Sequence, residues 1–492
     1  MILVAIILGL FLRLYRLSQL FYFTHDEETI AWRVMPLIRD NNPFLLGGVT
    51  PFHVHLGPWF YYLSAAILKL SHFDPLGWGI AAAVVSLATM WLVFYSGKLF
   101  FGSRVGIIAL LLSAVSFLMI AFDRHWWPLY FNPLITLVTL LALYQIIKGR
   151  SIYLIPLSLA LAFGFHTDPS TWALLLLTIT AWIRFKPKIT KQYLYISLFI
   201  FIVSFLPLII FDLRNEGVNL TGINQYFTET KAHQGLSWQR FWWVLLYIPR
   251  SLSRLLYAGT SDLSASYAYC PPLAYGRLQR ISWPLLFTPI TILLIFLFTA
   301  WRHRRQPQYW LIGSYFGLIF FGLNLYGNFF NSDLFDHYLT TLFPVFFLLT
   351  AWILNRLWRP VTILALLAFM ISNLILFSRI TTQDSYSAKR QGVNWAISQV
   401  ADQPFALDSL SSCFRYNGVR YLFMLAGKEP AQSFVDQNFS WLYQSPPAVA
   451  PLTKQVIFVH QNHTEPLPVG AISSRTFGSW TVLILDTAAP TQ

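Results

Sequence analysis

"MILVAIILGLFLRLYRLSQLFYFTHDEETIAW", residues 1–32, runs from an apolar stretch into three consecutive carboxylates, Asp26, Glu27 and Glu28. Its first twenty residues suffice to cross a hydrocarbon core of about 30 Å as a helix. With no basic leading segment and no small-residue cleavage site, the run reads as a retained first span rather than a signal peptide. Thr24, three residues before Glu27, forms a capping-box pattern, and acidic residues in a first turn suit the helix dipole. Capping accounts for Glu27 but not for Asp26, whose alternative role is a general base toward an acceptor, or an anchor for a divalent cation.

The composition extends this membrane reading to the whole chain. Of 492 residues, 56% are hydrophobic, 17% aromatic and 11% charged, and the mean hydropathy is +0.54. These values exceed an ordinary globular mixture. Apolar runs at 1–20, 78–97, 105–122, 129–147, 151–166, 170–184, 192–211, 283–300, 309–327, 338–355 and 361–378 predict about eleven transmembrane helices, with a range of 11–13. The net charge is +14, and Lys and Arg cluster in short connectors between the apolar runs, "KLFFGSR" (98–104), "KGR" (148–150), "RFKPKITK" (184–191), "RHRR" (302–305) and "RLWR" (356–359). Such loops stay cytoplasmic, so the charge reports topology and no nucleic-acid partner. Two cysteines, Cys270 and Cys413, exclude a disulfide-rich scaffold.

Alternation of the spans puts Asp26, His53, His55, Arg124, His166, Asp168, Asp212, Asp333, Asp336 and His337 together on the opposite, extracytoplasmic side. The segment 57–70 is short for a crossing and reads as a helix at the outer interface, with a true span as the alternative. "WQRFWWVLLYIPRSLSRLLYAG" (238–259) has the Trp and Arg mixture of an interfacial helix. It falls in a long external loop, 212–282, the other external loop being 21–77. Residues 1–379 thus form a membrane domain. Residues 380–492 lose the long apolar runs and show strand-like pieces, "PFALD", "QVIFVH" and "SWTVLILD", after a helix-like 387–400: a small extracytoplasmic α/β domain.

Each polar cluster also has a plain structural reading. In "TPFHVHLGPWFYY" (50–62), His53 and His55 precede an aromatic belt. In "FDRHWWPLY" (122–130), Arg124 either snorkels or offers a planar fork to a phosphate. In "FHTDPSTW" (165–172), Asp168 followed by Pro169 reads as an N-cap, beside His166. "NSDLFDHYLTTLFP" (331–344) brings Asp336, His337 and Tyr338 to the end of a span. No phosphate loop, dinucleotide fingerprint, Ser-x-x-Lys or His-Glu-x-x-His motif is present, so the substrate is expected to arrive already energised, such as a lipid-linked group.

"GLFLRLYRLSQLFYFTHDEETIAW" (9–32), "HLGPWFYYL" (55–63), "GKLFFGSRVGIIALLLSAVSFLMIAFDRHWWP" (97–128) and "DHYLTTLFPVFFLL" (336–349) resemble the dolichyl-phosphate-mannose-protein mannosyltransferase-like enzymes and the lipid A aminoarabinose transferases. These are membrane glycosyltransferases of the GT-C fold. Gly57 stands where that family has a first Pro, and His337 where many members have Arg.

The resemblance implies an all-α polytopic GT-C membrane protein moving a sugar from a polyprenyl-phosphate donor to an extracytoplasmic acceptor, in a prokaryotic plasma membrane. It implies Asp26 as base, Glu27 as its partner, Arg124, His337 and Tyr338 at the donor phosphate, and His55 lining the cleft; His53, His166, Asp168 and Asp336, on the same side, are further cleft or acceptor candidates. No cofactor is required by the sequence, and a divalent cation, if used, would sit at Asp26. The competing expectation is a transporter or lipid flippase, which would carry ionisable residues near mid-membrane. A structural scaffold would leave Asp26 dispensable.

Overall fold

Each of the eleven apolar runs is helical in the structure, a computed structural model that describes residues 1–50, 53–230, 238–257, 283–329, 334, 336–379, 386–410, 418–436, 452–461, 463 and 466–486. Cys270, Cys413 and Asp333 lie outside the described residues. The helices are α1 Ile2–Leu14, α2 Leu17–Leu20, α3 His25–Asp40, α4 Trp59–Leu70, α5 Leu76–Phe101, α6 Ser103–Val115, α7 Phe117–Phe122, α8 Asn132–Ile147, α9 Leu154–Phe165, α10 Trp172–Phe185 and α11 Lys191–Arg214. They continue as α12 Val218–Thr230, α13 Trp238–Tyr257, α14 Trp283–Arg302, α15 Pro307–Asn324, α16 Phe343–Leu354, α17 Arg359–Ser378, α18 Tyr386–Val400 and α19 Val419–Leu425.

Among the described residues, seven helical stretches are long and apolar enough to cross a membrane: Leu76–Phe101, Pro128–Ile147, Lys191–Arg214, Leu285–Arg302, Pro307–Gly327, His337–Leu354 and Arg359–Ser378. The chain is a multi-pass integral membrane protein. Against the eleven crossings expected, the other four helices are shorter, and two of them have visible reasons. α1 stops at Leu14, where Arg16 takes up a left-handed backbone with φ 53°. α6 breaks at Ser116; the freed Phe117 amide donates to Asn373 Oδ1 at 2.8 Å, and Ser116 Oγ donates to the Leu255 carbonyl at 2.9 Å. The break thus loses no buried hydrogen bond there.

The segment 57–70 contains a 12-residue helix, α4, about 18 Å long at 1.5 Å per residue and too short to span. α13, expected to lie at the interface, packs partly against the bundle. Its second half is packed inside the bundle, with Val244, Leu252 and Leu255 fully buried and Arg250 and Arg254 only 4% and 7% exposed.

A buried ion pair ties the start of the chain to the bundle. Arg13 of α1 meets Asp123 at 2.6 Å, Ser86 bonds to both, and further guanidinium bonds reach the carbonyls of Gly9, Ala114 and Ser113 at 3.0–3.2 Å. A charge buried in lipid-facing architecture is tolerated only when satisfied in this way.

The C-terminal region carries a five-stranded mixed sheet: β1 Phe405–Leu410, β2 Gln432–Ser433, β3 Lys454–His460, β4 Ala471–Phe477 and β5 Trp480–Asp486, in the order β2-β1-β3-β5-β4. β1 runs parallel to β2 and β3, whereas β5 is antiparallel to β3 and β4. Val393 and Ala396 of α18 are buried in one core with Val456, Phe458, Trp480 and Val482. The expected strands are β1, β3 and β5. β4, whose side chains are mostly exposed, carries little of the apolar alternation that marks a strand.

Candidate functional site

The capping box forms. Thr24 starts α3, and Glu27 Oε2 accepts from the Thr24 amide at 3.0 Å and from its hydroxyl at 2.9 Å. Successive helical residues are about 100° apart, so three consecutive carboxylates must face three directions. Glu27 turns inward and is fully buried, its Oε1 3.0 Å from Nδ1 of His125. Burial alone would raise the Glu27 carboxyl, but the bond and charge of His125, with the Thr24 amide, hold it below its ordinary value. Glu28 turns toward the C-terminal domain. Asp26 stays partly exposed, near Tyr61, and burial together with the neighbouring Glu27 charge pushes its pKa up to about 8.

His125 escaped the sequence reading although it adjoins Arg124. Its ring stacks on Tyr22, centroids 4.2 Å apart, and packs against Trp127 at 5.4 Å. Trp127 meets His337 at 5.2 Å, and His337 lies edge-on to Tyr338 at 4.6 Å. One continuous layer therefore joins Glu27, next in sequence to Asp26, to His337 and Tyr338.

Tyr338 also lines a cavity of about 410 Å³ with Tyr326, Asp168, Trp172, Leu318 and Gly322. Its wall is mainly apolar, suited to a hydrocarbon chain. Next to Tyr338 is a polar face of α13, where Tyr247, Arg250, Ser251 and Arg254 recur at helical spacing and are all buried. Arg250, Arg254 and Tyr338 all act electrostatically on Tyr247.

The remaining sequence candidates are held elsewhere. Arg124, expected at the donor phosphate, is 1% exposed; its Nη2 donates to the carbonyls of Leu12 and Tyr15 at 2.6 and 2.9 Å, and its guanidinium lies over Phe377. It thereby closes the C-terminal end of α1. His53 is exposed and pairs with Glu229 at 3.6 Å. The His55 amide and ring bond to Asn219 Oδ1 at 2.7 and 3.1 Å. Asp168 caps the turn Pro169–Thr171 by accepting from the Ser170 amide at 2.9 Å, while Asn132 joins it to Thr340. Asp336 begins the turn that carries His337, but its side chain lies outside the described residues. No group of three or more His, Cys, Asp or Glu able to hold a metal ion occurs among the described residues.

His166 explains the glycine at position 57. A Cβ on Gly57 would lie 1.5 Å from His166 Nδ1, so the ring occupies the space a side chain would need. Gly57→Ala is expected to destabilise by about 1–3 kcal/mol through overpacking, and His166→Ala in the same chain should restore the melting temperature. Equal melting of wild type and Gly57→Ala would contradict this packing.

Residues 55–211 match the family model described as dolichyl-phosphate-mannose-protein mannosyltransferase. No curated protein matches the chain. Among solved structures, ArnT from Cupriavidus metallidurans bound to undecaprenyl phosphate superposes with a TM-score of 0.54 at 11% identity, covering 100% of this chain and 99% of that one. Its apo state gives 0.55 at 10% identity, covering 98% and 97%. The chain has the GT-C fold. At these identities the likeness is one of architecture, and the GT-C arrangement of a helical bundle followed by a small sheet-bearing region extends over the full length.

Proposed function

We propose that this GT-C protein is an integral membrane glycosyltransferase, moving a sugar from a polyprenyl-phosphate donor to an extracytoplasmic acceptor. On this reading residues 1–379 form the catalytic membrane domain, and the site and residues 380–492 face outward, in a prokaryotic plasma membrane. The observation that carries it is the juxtaposition of a partly exposed Asp26, beside the fixed Glu27–His125 pair, with a layer ending at Tyr338 on an apolar cavity. The solved ArnT of the same fold binds undecaprenyl phosphate, which supports a donor of that class here.

In the reaction, the acceptor oxygen or nitrogen attacks the anomeric carbon, Asp26 takes the acceptor proton, and the bond from the anomeric carbon to the phosphate oxygen breaks. A base with a pKa near the working pH is well matched to that transfer. Negative charge then grows on the departing polyprenyl phosphate, where fixed cations help most. Arg250 and Arg254 are our candidates for that charge, in place of Arg124, with His337 and Tyr338 between them and the carboxylates. The apolar cavity takes the first isoprenoid units.

Purified protein offered a panel of polyprenyl-phosphate sugars, with and without a chelator because Asp26 is the residue that would hold a cation, should release polyprenyl phosphate from at least one donor. Inertness toward all of them would reject the reading. Gly322 tests the cavity, since a side chain added there meets nothing within 4 Å of its Cβ. Gly322→Leu should fold normally and raise the donor KM about tenfold or more by filling the cavity, with a smaller effect on a short-chain donor. An unchanged KM for the long-chain donor would remove the cavity from the donor path.

A further inference from the structure

The segment Phe21–Glu28 is held from two sides. Toward the bundle, Tyr22 stacks on His125, and Thr24 and Glu27 close the capping box. Toward the C-terminal region, the alternate residues are engaged. The Phe21 carbonyl accepts from the Tyr386 amide at 3.4 Å, and the Phe23 carbonyl accepts from the buried Lys389 ammonium at 2.9 Å. The Glu28 carboxylate accepts from the Gly418 and Tyr421 amides at 3.0 and 2.9 Å. Phe21, Phe23, Glu28, Lys389 and Tyr421 are all fully buried.

The fit is specific as well as polar. Gly418 adopts φ +80°, and a Cβ there would come within 2.6 Å of the Phe23 ring. Around this contact the Tyr386 hydroxyl and Arg390 bond to Asp74 at 2.7 and 2.9 Å, and the Tyr421 hydroxyl bonds to the Phe73 carbonyl at 2.9 Å. Ring stacking and the His125–Glu27 bond on one face, with fixed donors from the C-terminal region on the other, hold this short stretch in one conformation.

We propose that the C-terminal domain is a clamp that positions the Asp26–Glu27 turn, with Glu28 and Lys389 as its positioning residues. This inference rests on the transferase reading for its catalytic half. Undocking would leave the cavity and the buried arginines in place while Asp26 loses its orientation, so the chemical step suffers more than donor binding.

The test uses the full chain as wild type, Glu28→Ala and Lys389→Met, the last removing the ammonium that donates to the Phe23 carbonyl and lies over the Trp480 ring, at nearly constant side-chain length. Hydrogen exchange in a peptide spanning 21–32 should quicken about tenfold in both variants, while peptides spanning 132–147 and 454–460 keep wild-type rates. Under donor turnover, kcat should fall about 10²-fold, as for small misplacements of a reacting group, with the donor KM within about threefold. If Glu28→Ala does not accumulate, Lys389→Met alone reads both quantities. Unchanged exchange at 21–32 overturns the clamp while leaving the transferase reading intact. Faster exchange with unchanged kcat overturns its catalytic half, as does a wild-type chain inert toward every donor.

Discussion

Asp26→Asn is expected to lower transfer by about 10²- to 10⁴-fold, the range a positioned general base supplies, without loss of stability. Asn preserves the shape and polarity of the side chain at the start of α3 but cannot take the acceptor proton. The stability sign follows from linkage. The Asp26 pKa is raised from 3.8 to about 8 in the folded protein. Its ionisation therefore opposes folding increasingly as pH rises from about 4 to 8. Asp26→Asn removes that opposition, so it should melt like wild type near pH 4 and higher than wild type at pH 9. A variant with full transferase activity, or one less stable at pH 9, would contradict the assignment.

The second large effect concerns the pair that sequence reading missed. His125→Ala removes the ring partner of the fully buried Glu27 carboxylate, leaving it the Thr24 amide and hydroxyl and its own backbone amide. Breaking a buried charge-assisted pair from one side costs about 3–5 kcal/mol, and adding Glu27→Gln should recover part of it, giving a clear coupling in a double-mutant cycle. Here the linkage runs the other way. The Glu27 pKa is lowered in the folded protein, so its stabilisation is present above the unfolded carboxyl pKa and is lost as pH falls through the folded value. Thermal melts at pH 7 and pH 4 should show that acid-side loss in wild type and much less of it in His125→Ala. A loss below about 1 kcal/mol at pH 7, within the range of an exposed pair, would make the contact incidental.

What could be read from the sequence was whatever has a local cause. Apolar runs foretold helices; Thr24 with Glu27 foretold the capping box and Asp168 before Pro169 foretold a cap, the last two formed by contacts within three residues. The number of full spans was less legible, because the breaks at Arg16 and Ser116 depend on partners such as Asn373 that are distant in sequence. Arg124 and His125 differ by one position, and only the path of the turn after α7 decides that the histidine meets Glu27 while the arginine meets α1. Arg250 and Arg254 share a helical face with Tyr247, a pattern visible in the sequence, but their Trp-rich neighbours suggested an interface instead. Glu28 meets amides 390 and 393 positions away, a pairing for which no local signal exists.

The most direct measurement is the pH dependence of single-turnover release of polyprenyl phosphate between pH 6 and 10, in wild type and Asp26→Asn, with an active donor and saturating acceptor. A base poised as Asp26 is should give a rate that climbs with pH and levels off above about 8, and the climb should be absent in Asp26→Asn. A wild-type rate that is flat across this range, or the same climb persisting in Asp26→Asn, would contradict the role of Asp26 as the base.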